Sequence, residues 1–411
     1  MTILQRNGSS AGIWAIGAGH AMTHAFSAAF YLLLPFIARD LHLTFSQVGL
    51  LISLRQLMSM VINLPAGMIV DTVGKRRLLM GLALGSAIGP YLIVAATSSY
   101  EVILLSMVPI GLGVFLWHPA AITSISELYP ARRGFGLAIH ELGANLGDTL
   151  APLGAGALLV YLAWRRVLTI SVVVGLLLIP VVLSAVAGLR RQRDSAAASF
   201  SLRTYADGLR ALTANVSLLI LVAVSGVRSL TQQGLSAFLP LYLAHDLKMP
   251  AALLGAYLAM VQASGMVATP LAGTLSDRIG PKRVATAGML ATSLALVGVS
   301  AFRRGPAFVT ALAFLGFFLY SMRPAIFRWT IGLAPRQYEG TAVGILFTSQ
   351  SLFSTLMPVI GGAIADRYGL LPVFYVIAGA VVVANVAVFA VPDLHRPAAA
   401  RDEAVEATEG S

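Results

Sequence analysis

The chain has 411 residues, of which 57% are hydrophobic and only 11% are charged. A soluble protein of ordinary composition carries about 25% charged residues, so this chain cannot cover itself with a polar surface. The same hydrophobicity excludes intrinsic disorder, and the lack of cysteine excludes a small disulfide-stabilised secreted module. The formal net charge of +11 is typical of basic loops beside an anionic membrane surface. We therefore expect the lipid bilayer, and not nucleic acid, as a partner.

Twelve apolar segments are long enough to cross a membrane, since a spanning helix needs about 20 mostly apolar residues. We number them as spans 1 to 12 and predict that all are α-helices. Span 1 follows about ten polar residues without a small-residue cleavage site, which indicates a retained helix and not a signal peptide. The predicted spans cover 11–38, 45–70, 78–97, 101–126, 135–160, 167–189, 214–243, 251–275, 284–302, 306–331, 341–365 and 371–391.

Loop charge predicts the orientation of these spans. With the N-terminus in the cytoplasm, about 17 loop Lys and Arg residues fall inside and about 7 outside, which follows the positive-inside rule. An even number of spans then places both termini in the cytoplasm. We predict a multi-pass protein of a bacterial cytoplasmic (inner) membrane, with a cytoplasmic linker over 190–213 and a disordered tail over 393–411.

The two halves of the chain repeat at an offset of 206 residues. The repeat predicts an N-terminal six-helix bundle over 1–189 and a C-terminal bundle over 214–392. Because six is even, the two halves run parallel through the membrane. The repeat is clearest in the loops after spans 2 and 8, which read Gly67-x-x-x-Asp71-x-x-Gly74-x-Arg76-Arg77 and Gly273-x-x-x-Asp277-x-x-Gly280-x-Lys282-Arg283.

This loop resembles the signature loop of the major facilitator superfamily. The resemblance implies an all-α membrane fold of two pseudo-symmetric bundles around a central cavity, and a secondary transporter that works by alternating access. It also implies that the loops latch the outward-facing state, through Gly67, Asp71, Gly74, Arg76, Arg77, Asp277, Gly280 and Arg283. We expect close helix contact at Gly67, a helix N-terminus beside Asp71 and a tight turn at Gly74. The alternative is a basic loop that only sets topology.

Within that superfamily, the chain resembles the fosmidomycin-resistance exporters in four stretches: 20–24, 43–49, 113–119 and 133–147. The resemblance implies export by exchange with protons. However, the antiporter motif of span 5 is altered to Ala151-Pro152, and the span-4 arginine of many drug/proton antiporters falls near Met107 and is absent. The alternative is an uptake carrier, either a uniporter or a proton symporter, for an organic anion. A membrane receptor or scaffold without transport activity is the remote alternative.

Charged side chains inside spans cost about 2.5–3.5 kcal/mol on insertion scales, so each is a candidate for function. The resemblance places spans 1, 4, 7 and 10 around the cavity, where Arg and His residues favour an organic anion or a phosphonate-like or amphiphilic acid. The alternative is that each Arg pairs with an acid or a helix end and only stabilises packing. The proposed substrate-binding residues are Arg228, Arg323, His118, His24, His20, Gln232 and Arg55.

Proton coupling requires a side chain whose charge changes on proton binding, and the candidates are Asp148, Glu141 and His140. Asp148 could instead only bond a neighbouring helix, since small residues around it let helices approach closely. For Glu141 we favour an ion pair with Arg132 or Arg133. No catalytic or nucleotide-binding motif is present, so we expect a transporter and not an enzyme. We expect it to need no ATP, metal or other cofactor. We also expect it to be a monomer.

Overall fold

The computed structural model describes residues 10–186, 210 and 212–393, and the regular elements of this part of the chain are all helices. In the first half the helices of spans 1 to 6 are Ser10–Asp40, Phe45–Val73, Arg76–Ile88 with Tyr91–Ala96, Tyr100–Leu128, Arg133–Leu158 and Trp164–Ala185. In the second half, spans 7 to 12 are Val216–Leu241, Ala251–Ile279, Pro281–Ala301, Gly305–Leu333, Glu339–Tyr368 and Leu370–Val388. The predicted all-α membrane fold is confirmed.

Eleven helices of the described part are long and apolar enough to cross a membrane. The helix of span 5 is not among them, because Arg133–Leu158 carries Glu141 and Asp148 and is rich in glycine. Its 26 residues nevertheless give a length of about 39 Å, which exceeds the hydrocarbon core of about 30 Å. Span 5 is therefore long enough to cross and unusually polar.

Contacts divide the chain into two compact units. The first contains the described residues of Met1–Phe200 together with Gln233–Ala263 and Ser354–Val373. The second contains those of Ser201–Gln232, Ser264–Phe353 and Phe374–Ser411. The boundaries predicted from the repeat stay a prediction, and most of the predicted linker and tail lies outside the described residues.

Spans 1 and 5 pack at backbone distance in the first unit. A Cβ atom added at Gly143 would collide with the carbonyl group of Gly17, and one at Gly147 would collide with that of Ala21. Only glycine allows such an approach, so the small residues of span 5 do bring helices together as expected. The approach also juxtaposes the polar faces of the two helices.

The signature loop after span 2 has the predicted turn. Gly74 ends the span-2 helix in the left-handed region, with φ 60° and ψ 1°, and its N–H donates to the Val70 carbonyl at 3.1 Å. Gly280 has a φ of 92° at the corresponding place. The expectation of a close helix contact at Gly67 is wrong, because no described atom of another helix lies within 4 Å of the position a Cβ would take. The Asp71 side chain lies outside the described residues.

Both loop copies form an ion pair with the equivalent span of their own half. In the first half, Arg76 pairs with Glu127 of span 4. In the second half, Asp277 pairs with Arg328 of span 10, and the Nη1–Oδ1 distance is 2.5 Å. Arg77 and Arg283 are exposed.

Substitution of Gly143 by Ala should destabilise the protein, because the added methyl group meets the rigid backbone of Gly17. Gly154→Ala is the matched control on the same helix, since no atom lies within 4 Å of its added methyl group. We expect Gly143→Ala to lower the melting temperature of the detergent-purified protein. Gly154→Ala should leave it unchanged or raise it, because alanine favours helices by about 0.5–1 kcal/mol. Equal effects of the two substitutions would contradict the packing argument.

Candidate functional site

Five polar side chains from spans 1, 4 and 5 meet in the first unit, and we call them the histidine cluster: His20, His24, His118, His140 and Asp148. The ring of His20 is buried and stacks on that of His140, with 3.7 Å between centroids. The Nε2 atoms of His20 and His118 are 3.3 Å apart. His24 Nδ1 lies 2.9 Å from Asp148 Oδ2. Three of the residues predicted to bind substrate and two of those predicted to couple protons therefore lie in one network.

Glu141 is the exception among the predicted coupling residues. It is exposed, and within the described residues it forms no ion pair with Arg132 or Arg133. The predicted pair is wrong, because Arg133 and Glu141 are separated by about 12 Å of helix rise, whereas side chains pair across three or four residues. Arg132 instead stacks on Phe135, with its guanidinium 4.9 Å from the ring centroid.

Arg55 of span 2 is buried in the first unit among neutral partners. It donates from Nη1 to Ser27 Oγ at 2.9 Å and from Nη2 to the Tyr31 hydroxyl, and its guanidinium is 5.0 Å from the Tyr31 ring centroid. The Tyr31 hydroxyl also accepts a hydrogen bond from Gln233 Nε2 at 2.7 Å. Within the described residues, Arg55 therefore does not pair with a carboxylate, as the alternative had required.

Sequence reasoning missed Ser27, Tyr31 and Gln233. A signal for the first two does exist, because His20, His24, Ser27 and Tyr31 follow one another at helical spacing along one face of span 1. That polar stripe runs through an otherwise apolar helix. No comparable stripe pointed to Gln233.

In the second unit, Arg228 of span 7 is buried and held by neutral side chains. Its Nη1 donates to Gln232 Oε1 and its Nη2 to Ser229 Oγ, both at 2.9 Å. Gln232 Nε2 in turn donates to the Tyr320 hydroxyl of span 10 at 3.3 Å. The predicted pair Arg228 and Gln232 thus forms one hydrogen-bonded group.

Arg323 of span 10 is exposed and lies close enough to Arg228 for the two positive charges to repel each other. We call these two residues the arginine pair. Within residues 212–393, neither arginine forms an ion pair with a carboxylate. Two neighbouring cations without a counter-charge form a site that favours an anion.

Residues 16–268 and 221–409 match the model of the Major Facilitator Superfamily. The chain belongs to this superfamily. It is therefore a multi-pass membrane protein and a secondary transporter, and not an enzyme. The narrower resemblance to the fosmidomycin-resistance exporters stays a prediction.

Relatives and solved structures agree with this assignment. The multidrug resistance protein MdtG of Klebsiella pneumoniae is 26% identical over 385 residues, which cover 90% of this chain and 91% of MdtG. The probable nitrate/nitrite transporter NarK2 of Mycobacterium tuberculosis is 26% identical over 337 residues, or 80% of this chain and 82% of NarK2. The fold is similar to that of a bacterial homologue of the human lysosomal transporter Spinster, with a TM-score of 0.80, 16% identity and coverage of 94% and 97%.

Removal of the Tyr31 hydroxyl should destabilise the protein, since the hydroxyl accepts hydrogen bonds from both Arg55 and Gln233. A buried donor left without a partner costs about 1–3 kcal/mol. We expect Tyr31→Phe to lower the melting temperature, whereas Tyr161→Phe should not, because Tyr161 is 85% exposed. A Tyr31→Phe protein as stable as the Tyr161→Phe protein would count against the network.

Proposed function

We propose that the protein transports a small organic anion, of an amphiphilic or phosphonate-like class, by alternating access and in the direction of export. The arginine pair carries the proposal. Two like charges in spans are costly when no carboxylate balances them, and a bound anion supplies the missing charge. A guanidinium group can donate two parallel hydrogen bonds to a carboxylate or phosphonate, so this chemistry fits the substrate class.

The side chains around Arg228 support the proposal because they orient its guanidinium group. Gln232 and Ser229 each accept one hydrogen bond from it, and Tyr320 holds Gln232 from span 10. The Tyr320 ring packs against the backbone of Gly265, where an added Cβ would collide with it. A donor fixed in this way loses little conformational freedom when it binds, which favours affinity.

The names of the two relatives are compatible with different parts of the proposal. MdtG is named for multidrug resistance, which is consistent with export, and NarK2 is named for nitrate and nitrite, which are anions. Uptake is the second candidate direction, favoured by the altered Ala151-Pro152 motif.

We further propose, from loop charge alone, that the protein lies in a bacterial inner membrane with both termini in the cytoplasm.

Glu141 is the residue that we assign to proton exchange. It lies in span 5, the helix that is not among the apolar spans, and within the described residues no cation pairs with it. Because no cation holds this carboxylate, its partners can differ between transport states, as coupling by differential proton binding requires. Asp148 and His140, the other two residues predicted for proton coupling, lie in the histidine cluster.

Substitution of Arg323 by Gln should weaken anion binding by about 10- to 150-fold, because a hydrogen bond to a charged group is worth about 1.5–3 kcal/mol. The measurement is a thermal-shift titration of the purified protein with fosmidomycin as the phosphonate and dodecanoate as the amphiphilic carboxylate. Arg303→Gln is the control, since Arg303 is an exposed loop residue. If wild type and both variants bind a probe with equal affinity, the anion site is not at the arginine pair. If wild type binds neither probe, the protein does not bind this class of anion.

Substitution of Glu141 by Gln should abolish transport driven by a pH gradient and leave binding of the same anion intact. The side chains are alike in size, so only the titrating proton is lost. The measurement is anion movement in proteoliposomes with an imposed pH gradient, and the sign of the movement distinguishes export by exchange from symport. Gradient-driven transport by Glu141→Gln at the wild-type rate would refute the assignment.

A further inference from the structure

We propose that His20, His24 and His118 bind a divalent transition-metal ion of the class that imidazole prefers, such as Zn²⁺, Ni²⁺ or Co²⁺. One ring nitrogen from each of these three histidines lies within 4.8 Å of the other two. Imidazole nitrogen is the commonest protein ligand for these ions, and three protein ligands with an open fourth position are enough for a Zn²⁺ site. The site lies entirely within the first unit and is independent of the arginine pair.

The hydrogen bonds of His20 and His118 fix which nitrogen carries hydrogen. His20 Nδ1 contacts the His140 carbonyl at 2.7 Å, and His118 Nδ1 contacts the Val114 carbonyl at 3.1 Å. A carbonyl oxygen can only accept, so both Nδ1 atoms must carry hydrogen. In the neutral rings both Nε2 atoms then present lone pairs, and these face each other at 3.3 Å. Two lone pairs at this distance repel unless a cation, either a proton held between the rings or a metal ion, lies between them.

The spacing fits a metal ion. With Zn–N bonds of about 2.0–2.1 Å, two ligands of a tetrahedral site are about 3.3 Å apart. The two Nε2 atoms of His20 and His118 have this separation. The third nitrogen, from His24, lies within 4.8 Å of the other two, so it has to move by about 1.5 Å to reach the same spacing.

Each histidine also has the outer partner that metal-bound histidines usually have. Backbone carbonyls hold His20 and His118, and the Asp148 carboxylate holds His24 at 2.9 Å. Such partners fix the orientation of the ring and make the ligand nitrogen more basic. The carboxylate further adds a negative charge that favours a cation, and the stacked ring of His140 fixes the plane of His20.

The cluster has an accessible side. His20 is buried, but the side chains of His24 and Asp148 are 29% and 25% exposed. An ion can therefore reach the three histidines past this pair. An entry path is one of the requirements for a metal site.

The test is a titration of the purified protein with Zn²⁺ alone, using an affinity tag without histidine and protein stripped with a chelator. We expect about one Zn²⁺ per chain, a rise in melting temperature because the ion binds the folded state, and a tetrahedral absorption spectrum with Co²⁺. His20→Asn and His118→Asn should each lose at least 10-fold in affinity. His42→Asn, outside the cluster, should bind as wild type does. Mg²⁺ should give no shift, because it prefers oxygen ligands.

Asp148→Asn provides a second readout that does not depend on removing a ligand. This variant should still bind Zn²⁺, but with an affinity about 10- to 100-fold lower, as expected for an outer partner of a metal ligand. The proposal fails if wild type binds no more Zn²⁺ than His118→Asn does, since the cluster is then a hydrogen-bonded network. It also fails if Asp148→Asn and His42→Asn bind equally. If His20→Asn does not fold, His118→Asn and Asp148→Asn decide the matter. Since no anion is present, failure here leaves the anion proposal unaffected.

Discussion

The backbone contact between spans 1 and 5 is the constraint on which the first unit's polar chemistry depends. Gly143 faces the carbonyl of Gly17 at a distance that admits no side chain. Lipid offers no hydrogen bonds, so polar side chains in spans are stabilised by pairing with one another. The close approach makes this possible by bringing His24 to Asp148 and His20 to the backbone of His140. Packing and polar pairing thus support each other, and neither helix could carry its polar face alone.

The internal repeat preserves the attachment of each signature loop to the fourth span of its own half, but not the motif position that forms it. Arg76 pairs with Glu127 in the first half, whereas in the second half Asp277, the counterpart of Asp71, pairs with Arg328. Different charges of the motif can form the contact because an ion pair is attractive whichever helix carries the acid. The loop motif alone therefore identifies the anchoring point but not which of its charges is engaged.

Features set by the local chain could be predicted from the sequence, whereas those set by a neighbouring helix could not, except for the close packing of the glycine-rich span 5. The spans followed from apolar length, and the turn at Gly74 from the need for a positive φ. The contact expected at Gly67 failed because close approach depends on what lies opposite, and the residues that meet a neighbour are elsewhere. The Glu141 ion pair failed because Arg133 lies more than two helical turns away, whereas side chains pair across three or four residues. Gln233 was missed because its partner Tyr31 is 202 residues away in the chain.

The tautomers in the histidine cluster distinguish the histidines from the arginines, although the sequence predicted one anion-binding site for both. Cationic and neutral donors in spans 1, 4, 7 and 10 suggested one lining for an anion, with His20 and His118 beside the arginines. A neutral histidine whose Nδ1–H is already bonded to a carbonyl presents only a lone pair, and a lone pair repels an anion. Arg228, by contrast, donates in every protonation state accessible near neutral pH. We therefore propose anion recognition at the arginine pair and a cation site at the histidines, with Asp148 beside them.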